Sequence, residues 1–331
     1  MKRFRNLLLT TAVVLSGLQL NAQETSNGRV YGKLYSNFHA SFIESREDQS
    51  AFEVQRAYLG YKHNLDAHFN LNLLLDIGSP EQNSPYDLLK RYAYFKKAEL
   101  SYQHNDLSIN FGLIGMNLFN LQEKYWGYRY LYKSFQDEHK FGSSADLGLS
   151  VSYRFSPHLE VDASVMNGEG YNQLQNDNTY KTGLGITALP IKNLTLRWYG
   201  DYMAQSEAQI TLAHFIGYTL PEIGQIGIEY NLQFNDRYRE DHNRQGLSLY
   251  STVYITDKWE LFARYDKLSS NTIGSEPYNW NLAKDGSALV GGIEFAPTKH
   301  VHIALNYQDW VPYAANLGNH QSLYFSVEIA I

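Results

Sequence analysis

The chain has 331 residues, with 28 basic and 34 acidic side chains, 27 tyrosines and no cysteine. A formal net charge of −6 argues against nucleic acid as a partner. The missing cysteines exclude disulfides, thiol chemistry and cysteine-based metal sites.

The N-terminus opens with Lys2, Arg3 and Arg5, continues as an apolar run over 7–18, and reaches a small residue at Ala22. That layout predicts a secretory signal peptide over 1–22, with 23–331 forming one domain. The apolar run falls short of the roughly 20 residues that a membrane helix needs. Without the three cations of the leader, which holds no acid, the net charge becomes −9.

Beyond the leader, apolar and polar side chains alternate with a period of two. The clearest case is 67–77, where Ala67, Phe69, Leu71, Leu73, Leu75 and Ile77 share one face and His68, Asn70, Asn72 and Asp76 lie on the other. Such alternation marks a strand with one apolar and one wet wall. The segment also matches the 9–11 tilted residues with which a strand crosses a bilayer. In chain order the same pattern predicts strands over 30–43, 52–64, 67–77, 92–104, 107–116, 144–155, 159–166 and 179–188. It continues over 194–204, 209–220, 225–235, 246–256, 259–268, 287–295, 301–310 and 322–331.

The connections alternate between short turns rich in Asn, Asp, Pro and Gly and longer loops. One, near 205–208, is short where the alternation calls for a long loop. An up-and-down antiparallel sheet with turns at one rim and loops at the other gives this pattern. The expected fold is therefore all-β: a closed transmembrane barrel of about 16 strands, its last strand pairing with its first. A soluble sandwich, propeller or solenoid also alternates, but shorter strands and internal repeats are expected of those. A 15% aromatic content suits a barrel with aromatic girdles at both lipid interfaces.

The longest break in the rhythm is 117–142, with eight aromatic side chains and charges of both signs. Loops of this length are usually functional or disordered, and this one is too aromatic for ordinary disorder.

No hydrolase elbow, phosphate loop, zinc-protease or calcium-loop motif is present. His300 and His302 share a strand face without an evident acidic partner, so neither a metal nor a cofactor is expected. What remains is a wet inner wall carrying both signs of charge, including Arg56, Lys97, Glu99, Arg197, Asp201, Glu229 and Arg264 as candidate pore-wall residues. Rings of charge bias which ions enter a channel, and a barrel of about sixteen strands leaves an aqueous lumen.

Three stretches, FEVQRAYLGYK (52–62), KSFQDEHKFGSSADLGLSVSYRF (133–155) and NGEGYNQLQNDNTYK (167–181), resemble the porins of Gram-negative outer membranes. More narrowly they are similar to the phosphate-selective porin O/P group and its relatives in Bacteroidota. The resemblance implies that the loop after the fifth strand folds into the barrel as a constriction. Lys124, Arg129, Lys133 and Lys140 would then be its cations, and Glu123, Asp137 and Glu138 their counter-charges. It also implies a homotrimer in the outer membrane that passes small solutes or ions, phosphate among the possible anions. An outer-membrane barrel enzyme of the lipid-hydrolase type and a plugged binding or adhesion barrel are the alternatives.

Overall fold

The computed structural model describes residues 28–43, 49–78 and 92–331. The expected signal peptide and most of the loops expected over 44–50 and 78–91 lie outside the described residues.

Among the described residues sixteen strands close into one antiparallel barrel, in which sequence neighbours pair throughout and β1 pairs with β16. They are β1 (Gly28–Ile43), β2 (Gln49–Asn64), β3 (Phe69–Gly78), β4 (Ala93–His104), β5 (Leu107–Gly115), β6 (Ala145–Ser156), β7 (Leu159–Met166) and β8 (Lys181–Ala188). The second half is β9 (Leu194–Ala204), β10 (Ala208–Leu220), β11 (Gly224–Phe234), β12 (Arg244–Thr256), β13 (Trp259–Ser270), β14 (Gly286–Thr298), β15 (Val301–Pro312) and β16 (His320–Ala330). Two short helices, α1 (Asn120–Trp126) and α2 (Phe135–Glu138), lie between β5 and β6.

The seam joins β1 to β16, from Lys33 opposite Ala330 to Ile43 opposite His320. Beyond it Gly32 N donates to Ile331 O at 3.1 Å and Ile331 N donates back at 3.0 Å. Closure meets the backbone hydrogen bonds internally, the condition for a strand-built structure in lipid.

The two faces sort as the alternation requires. Phe111, Leu149, Leu289 and Leu305 point outward and are exposed. A contiguous apolar surface of this extent is anomalous in water and expected in a bilayer. At the short-turn rim, outward aromatic side chains pair across strands: Trp259 with Phe295 at 4.5 Å and Phe69 with Tyr102 at 5.0 Å. These pairs lie at the rim where a girdle is expected. The short connection expected near 205–208 is a tight turn, in which Gln205 N donates to Glu207 O at 3.2 Å.

Register shifts occur beside three of the short turns, after Arg154, Tyr254 and Phe295, and within two strands, β2 and β4. In β2 the register slips between Tyr35 and Ser36, which pair with Arg56 and Val54, leaving Gln55 as the extra residue. In β4, Leu74 pairs with Lys97 and Leu75 with Phe95, leaving Lys96 as a bulge. A bulge re-aims a side chain without ending the pairing. Here it turns Lys96 off the lipid face and inward beside Lys97.

The apolar core is inside the barrel, between the wall and the segment after β5. One cluster joins Trp126, Tyr128, Tyr130 and Leu131 of the segment to Phe215, Tyr250, Phe262 and Val290 of the wall. A second joins Leu118 and Phe119 to Met166, Tyr199 and Ala213.

Candidate functional site: the barrel interior

The segment between β5 and β6 leaves the wall where Met116 N donates to Ser144 O at 3.1 Å. It then reaches strands far around the barrel through hydrogen bonds. Tyr128 OH donates to Glu260 Oε2 at 2.7 Å on β13, and Tyr130 OH to Glu294 Oε2 at 2.6 Å on β14. Gln308 Nε2 of β15 donates to Leu131 O at 3.1 Å, and Gln225 Nε2 of β11 to Tyr125 O at 2.8 Å. These bonds use wall groups that would otherwise stay in the lumen water. Together with the buried aromatic side chains they fix the segment across the interior.

Arg264 of β13 is the strongest single anchor. Its guanidinium donates to Asp266 through Nε at 2.8 Å and Nη2 at 2.6 Å, and its Nη1 donates to Lys133 O at 2.7 Å. It also lies 4.9 Å from the Trp126 ring centroid and 5.1 Å from that of Tyr132, both in the segment. Arg244 of β12 holds the far end, donating to His139 O at 2.9 Å and Lys140 O at 2.7 Å. Arg197 of β9 holds the near end, donating to Asn117 O at 2.8 Å and to Asp162 Oδ2 at 2.7 Å.

The charges predicted for a constriction are brought together only in part. Arg129 Nη1 donates to Glu123 Oε2 at 2.5 Å and to Asp137 Oδ2 at 2.6 Å, tying α1 to α2. Lys133 and Glu138 stand 4.0 Å apart. Burial works against the charge of Asp137, but Arg129 and then Lys133 overcome it and hold its carboxyl below the usual range. For His139 burial dominates and pushes the imidazole down to about 4. Its ring lies 4.5 Å from that of Phe135 and 5.7 Å from that of Trp310.

Two cavities lie on either side of the segment. The larger, about 980 Å³, is lined by Lys133, Asp137, Glu138 and Lys140 from the segment and by Arg56 from the wall. The smaller, about 510 Å³, is lined by Glu123 and Lys124 and by Lys97. Arg129 and Ser144 line both.

The predicted wall residues divide into two groups. Arg56, 3.0 Å from Asp76, and Lys97, 3.5 Å from Glu99, border the cavities, whereas Glu99 itself borders neither and accepts from Asn72 at 2.9 Å. Arg197, Asp201, Glu229 and Arg264 border neither: each is buried, and three of them touch the segment or its neighbours. Gln136 of α2, for example, donates to Asn231 at 2.7 Å and lies 3.4 Å from Glu229. All of these side chains face inward, so alternation alone cannot separate the cavity lining from the seat of the segment.

His302 has an acidic partner that the sequence did not reveal: its Nδ1 lies 2.8 Å from Glu294 Oε1. Glu294 is eight residues away in sequence and adjacent only through the β14–β15 pairing. Among the described residues no group of three or more metal-ligating side chains converges.

Sequence reasoning also missed Lys96 and Tyr171. The ammonium of Lys96 lies 3.9 Å from the Tyr171 ring centroid. A lysine falling on the predicted lipid face, directly before one on the wet face, was the available signal for the bulge. Tyr171 sits in a loop where no periodicity operates.

No family model matches the chain, and no curated protein matches it. Among solved structures it is similar to the outer membrane channel DcaP of Acinetobacter baumannii, with a TM-score of 0.72 at 9% identity over 94% of this chain and 99% of that one. It is similar to OmpF of Salmonella typhi, determined in complex with daunomycin, with a TM-score of 0.66 at 9% identity over 92% and 98% of the two chains. It is also similar to an anion-selective porin from Comamonas acidovorans, with a TM-score of 0.63 at 10% identity over 92% and 100%. These likenesses show a shared barrel fold.

Proposed function

We propose that the protein is an outer-membrane porin, a passive diffusion channel for small hydrophilic solutes that favours anions. The observation that carries this reading is the pair of cavities meeting at Arg129 and Ser144. The smaller is lined by five basic side chains, Lys33, Lys96, Lys97, Lys124 and Arg129, against the two acids Glu123 and Glu328. The larger has eight basic side chains against five acidic ones. Both are locally positive in a chain whose net charge is negative, and low-dielectric walls focus such a field on ions in transit. Size exclusion where the segment narrows the lumen completes the mechanism, with no covalent step and no energy coupling.

Most cations near the narrowing are matched by a carboxylate, as in Arg56–Asp76, Lys97–Glu99 and Arg129–Glu123. That arrangement supports a general bias toward small anions, phosphate among them, over a dense cationic array selecting phosphate alone. Export by a leader over 1–22, an integral outer-membrane location and a homotrimer accord with this reading. So does the structural likeness to an outer membrane channel and an anion-selective porin.

Single-channel recording in planar bilayers tests the proposal. Discrete conductance steps with a reversal potential on the anion side are expected, and a folded protein that gives no steps would refute it. Neutralising Lys124, Arg129, Lys133 and Lys140 together should move the reversal potential toward the cation side. No movement would remove those four from the selectivity mechanism.

A further inference from the structure

The bulge in β4 sets Lys96 among groups whose charges are already matched. Asp76 is 3.0 Å from Arg56, Glu99 is 3.5 Å from Lys97, and Asp137 is 2.6 Å from Arg129. Among the described residues no carboxylate makes an ion pair with Lys96, although its side chain is only 8% exposed. An ammonium so far withdrawn from water needs other compensation. It has two sources: Nζ donates to Ser144 Oγ, and the ring of Tyr171 faces it with a centroid 3.9 Å away. The face of an aromatic ring carries negative potential and attracts a cation placed over it.

Tyr171 is held in place by the loop between β7 and β8. Gly168 and Gly170 have φ of +108° and +92°, in the region that favours glycine. Gly168 N donates to Asp146 Oδ2 at 2.7 Å. A Cβ on Gly168 would meet Met203 Sδ at 2.2 Å, so the loop lies close against the wall. The Tyr171 hydroxyl points at Asp76 Oδ2, 3.4 Å away. The ring borders the larger cavity and not the smaller, and Lys96 borders the smaller and not the larger. The ring therefore stands between the ammonium and the larger cavity.

We propose that Tyr171 is a specificity-determining residue: its ring shields the Lys96 ammonium from the larger cavity while leaving it open to the smaller one. The unpaired lysine then acts on permeating anions from one end of the channel more than from the other. The narrowing is also less anion-selective than its cations alone would make it. This rests on the diffusion-channel reading.

The test is the reversal potential under a KCl gradient for the wild type, Tyr171→Ala, Tyr171→Phe, Lys96→Met and the Tyr171→Ala/Lys96→Met double variant, each checked for folding by heat-modifiable mobility. Tyr171→Ala should raise the anion-to-cation permeability ratio about two- to fivefold, the size of effect expected when one cation–π contact is removed. Tyr171→Phe keeps the ring and should match the wild type. In the Lys96→Met background Tyr171→Ala should change nothing. An unaltered ratio in Tyr171→Ala overturns the proposal. So does an equal rise in the Lys96→Met background, and so does a Phe variant that behaves like Ala, which would assign the effect to the hydroxyl. A wild type without conductance defeats the channel reading itself, whereas a conducting wild type with an unaltered Tyr171→Ala ratio defeats only the shielding.

Discussion

Replacing Arg264 by Met should release the segment across the lumen while leaving the barrel closed. Arg264 is 2% exposed and faces Asp266, which has no exposure. On the segment side the substitution removes the charged hydrogen bond to Lys133 O, about 1.5–3 kcal/mol. It also removes two guanidinium–aromatic contacts, to Trp126 and Tyr132, about 1 kcal/mol each. The sum, about 4 kcal/mol, lowers the ratio of docked to released segment by about three orders of magnitude, since 1.4 kcal/mol is tenfold. A second cost falls on the wall, because Asp266 is left with the Ser248 hydroxyl at 2.5 Å as its remaining side-chain donor. Stranding a buried charge costs about 3–5 kcal/mol. The Arg264→Met/Asp266→Asn pair separates the two effects, since it removes the stranded charge but not the lost anchor. On the diffusion-channel reading, single-channel recording should show larger and noisier openings for both variants, and protease should cut 117–142 in the folded, detergent-solubilised protein faster than in the wild type. Unchanged conductance, noise and cleavage in Arg264→Met would refute the claim that this arginine seats the segment.

Two further outcomes follow from the same contacts. His139 ordinarily titrates near 6.5 and is held at about 4 by burial. The folded state therefore binds fewer protons than the unfolded one, and its contribution to docking is complete above 6.5 and lost as the pH falls through about 4. Channel noise should rise over that interval, and His139→Phe should flatten the dependence; noise insensitive to pH in the wild type would count against it. On the outer face, Leu305→Arg places a cation midway along β15 and should cost about 2–4 kcal/mol of folding free energy in liposomes, measured by denaturant titration. A cost near zero there would contradict a lipid-facing surface.

The barrel was legible in the sequence because lipid enforces a strict code. An outward polar residue is penalised at each step, so the alternation survives in 67–77 and most other strands, and the strand number could be counted from it. The code weakens where lipid does not read it. Arg197, Glu229 and Arg264 face inward like Arg56 and Lys97, and only the course of the segment, a matter of tertiary packing, turns the first three into its seat. Lys96 escaped because the bulge shifts the register by one residue, which reverses the faces that alternation assigns. Tyr171 escaped because its position depends on two glycines with positive φ rather than on any repeat.

The seam between β1 and β16 bears on how the protein comes to exist. Its ion pair between Lys33 and Glu328 joins residues 295 apart in sequence, whereas the other fifteen ladders link strands that are sequence neighbours. Hairpins assemble from local contacts at low entropic cost, but the last ladder must close a loop that spans nearly the whole described chain. Until it forms, both terminal strands expose unpaired N–H and C=O groups that lipid does not satisfy and that other chains can pair with. Closing the seam is therefore expected to be the slow, committing event in assembly, and substitutions along it should alter the rate of barrel formation more than those at any hairpin.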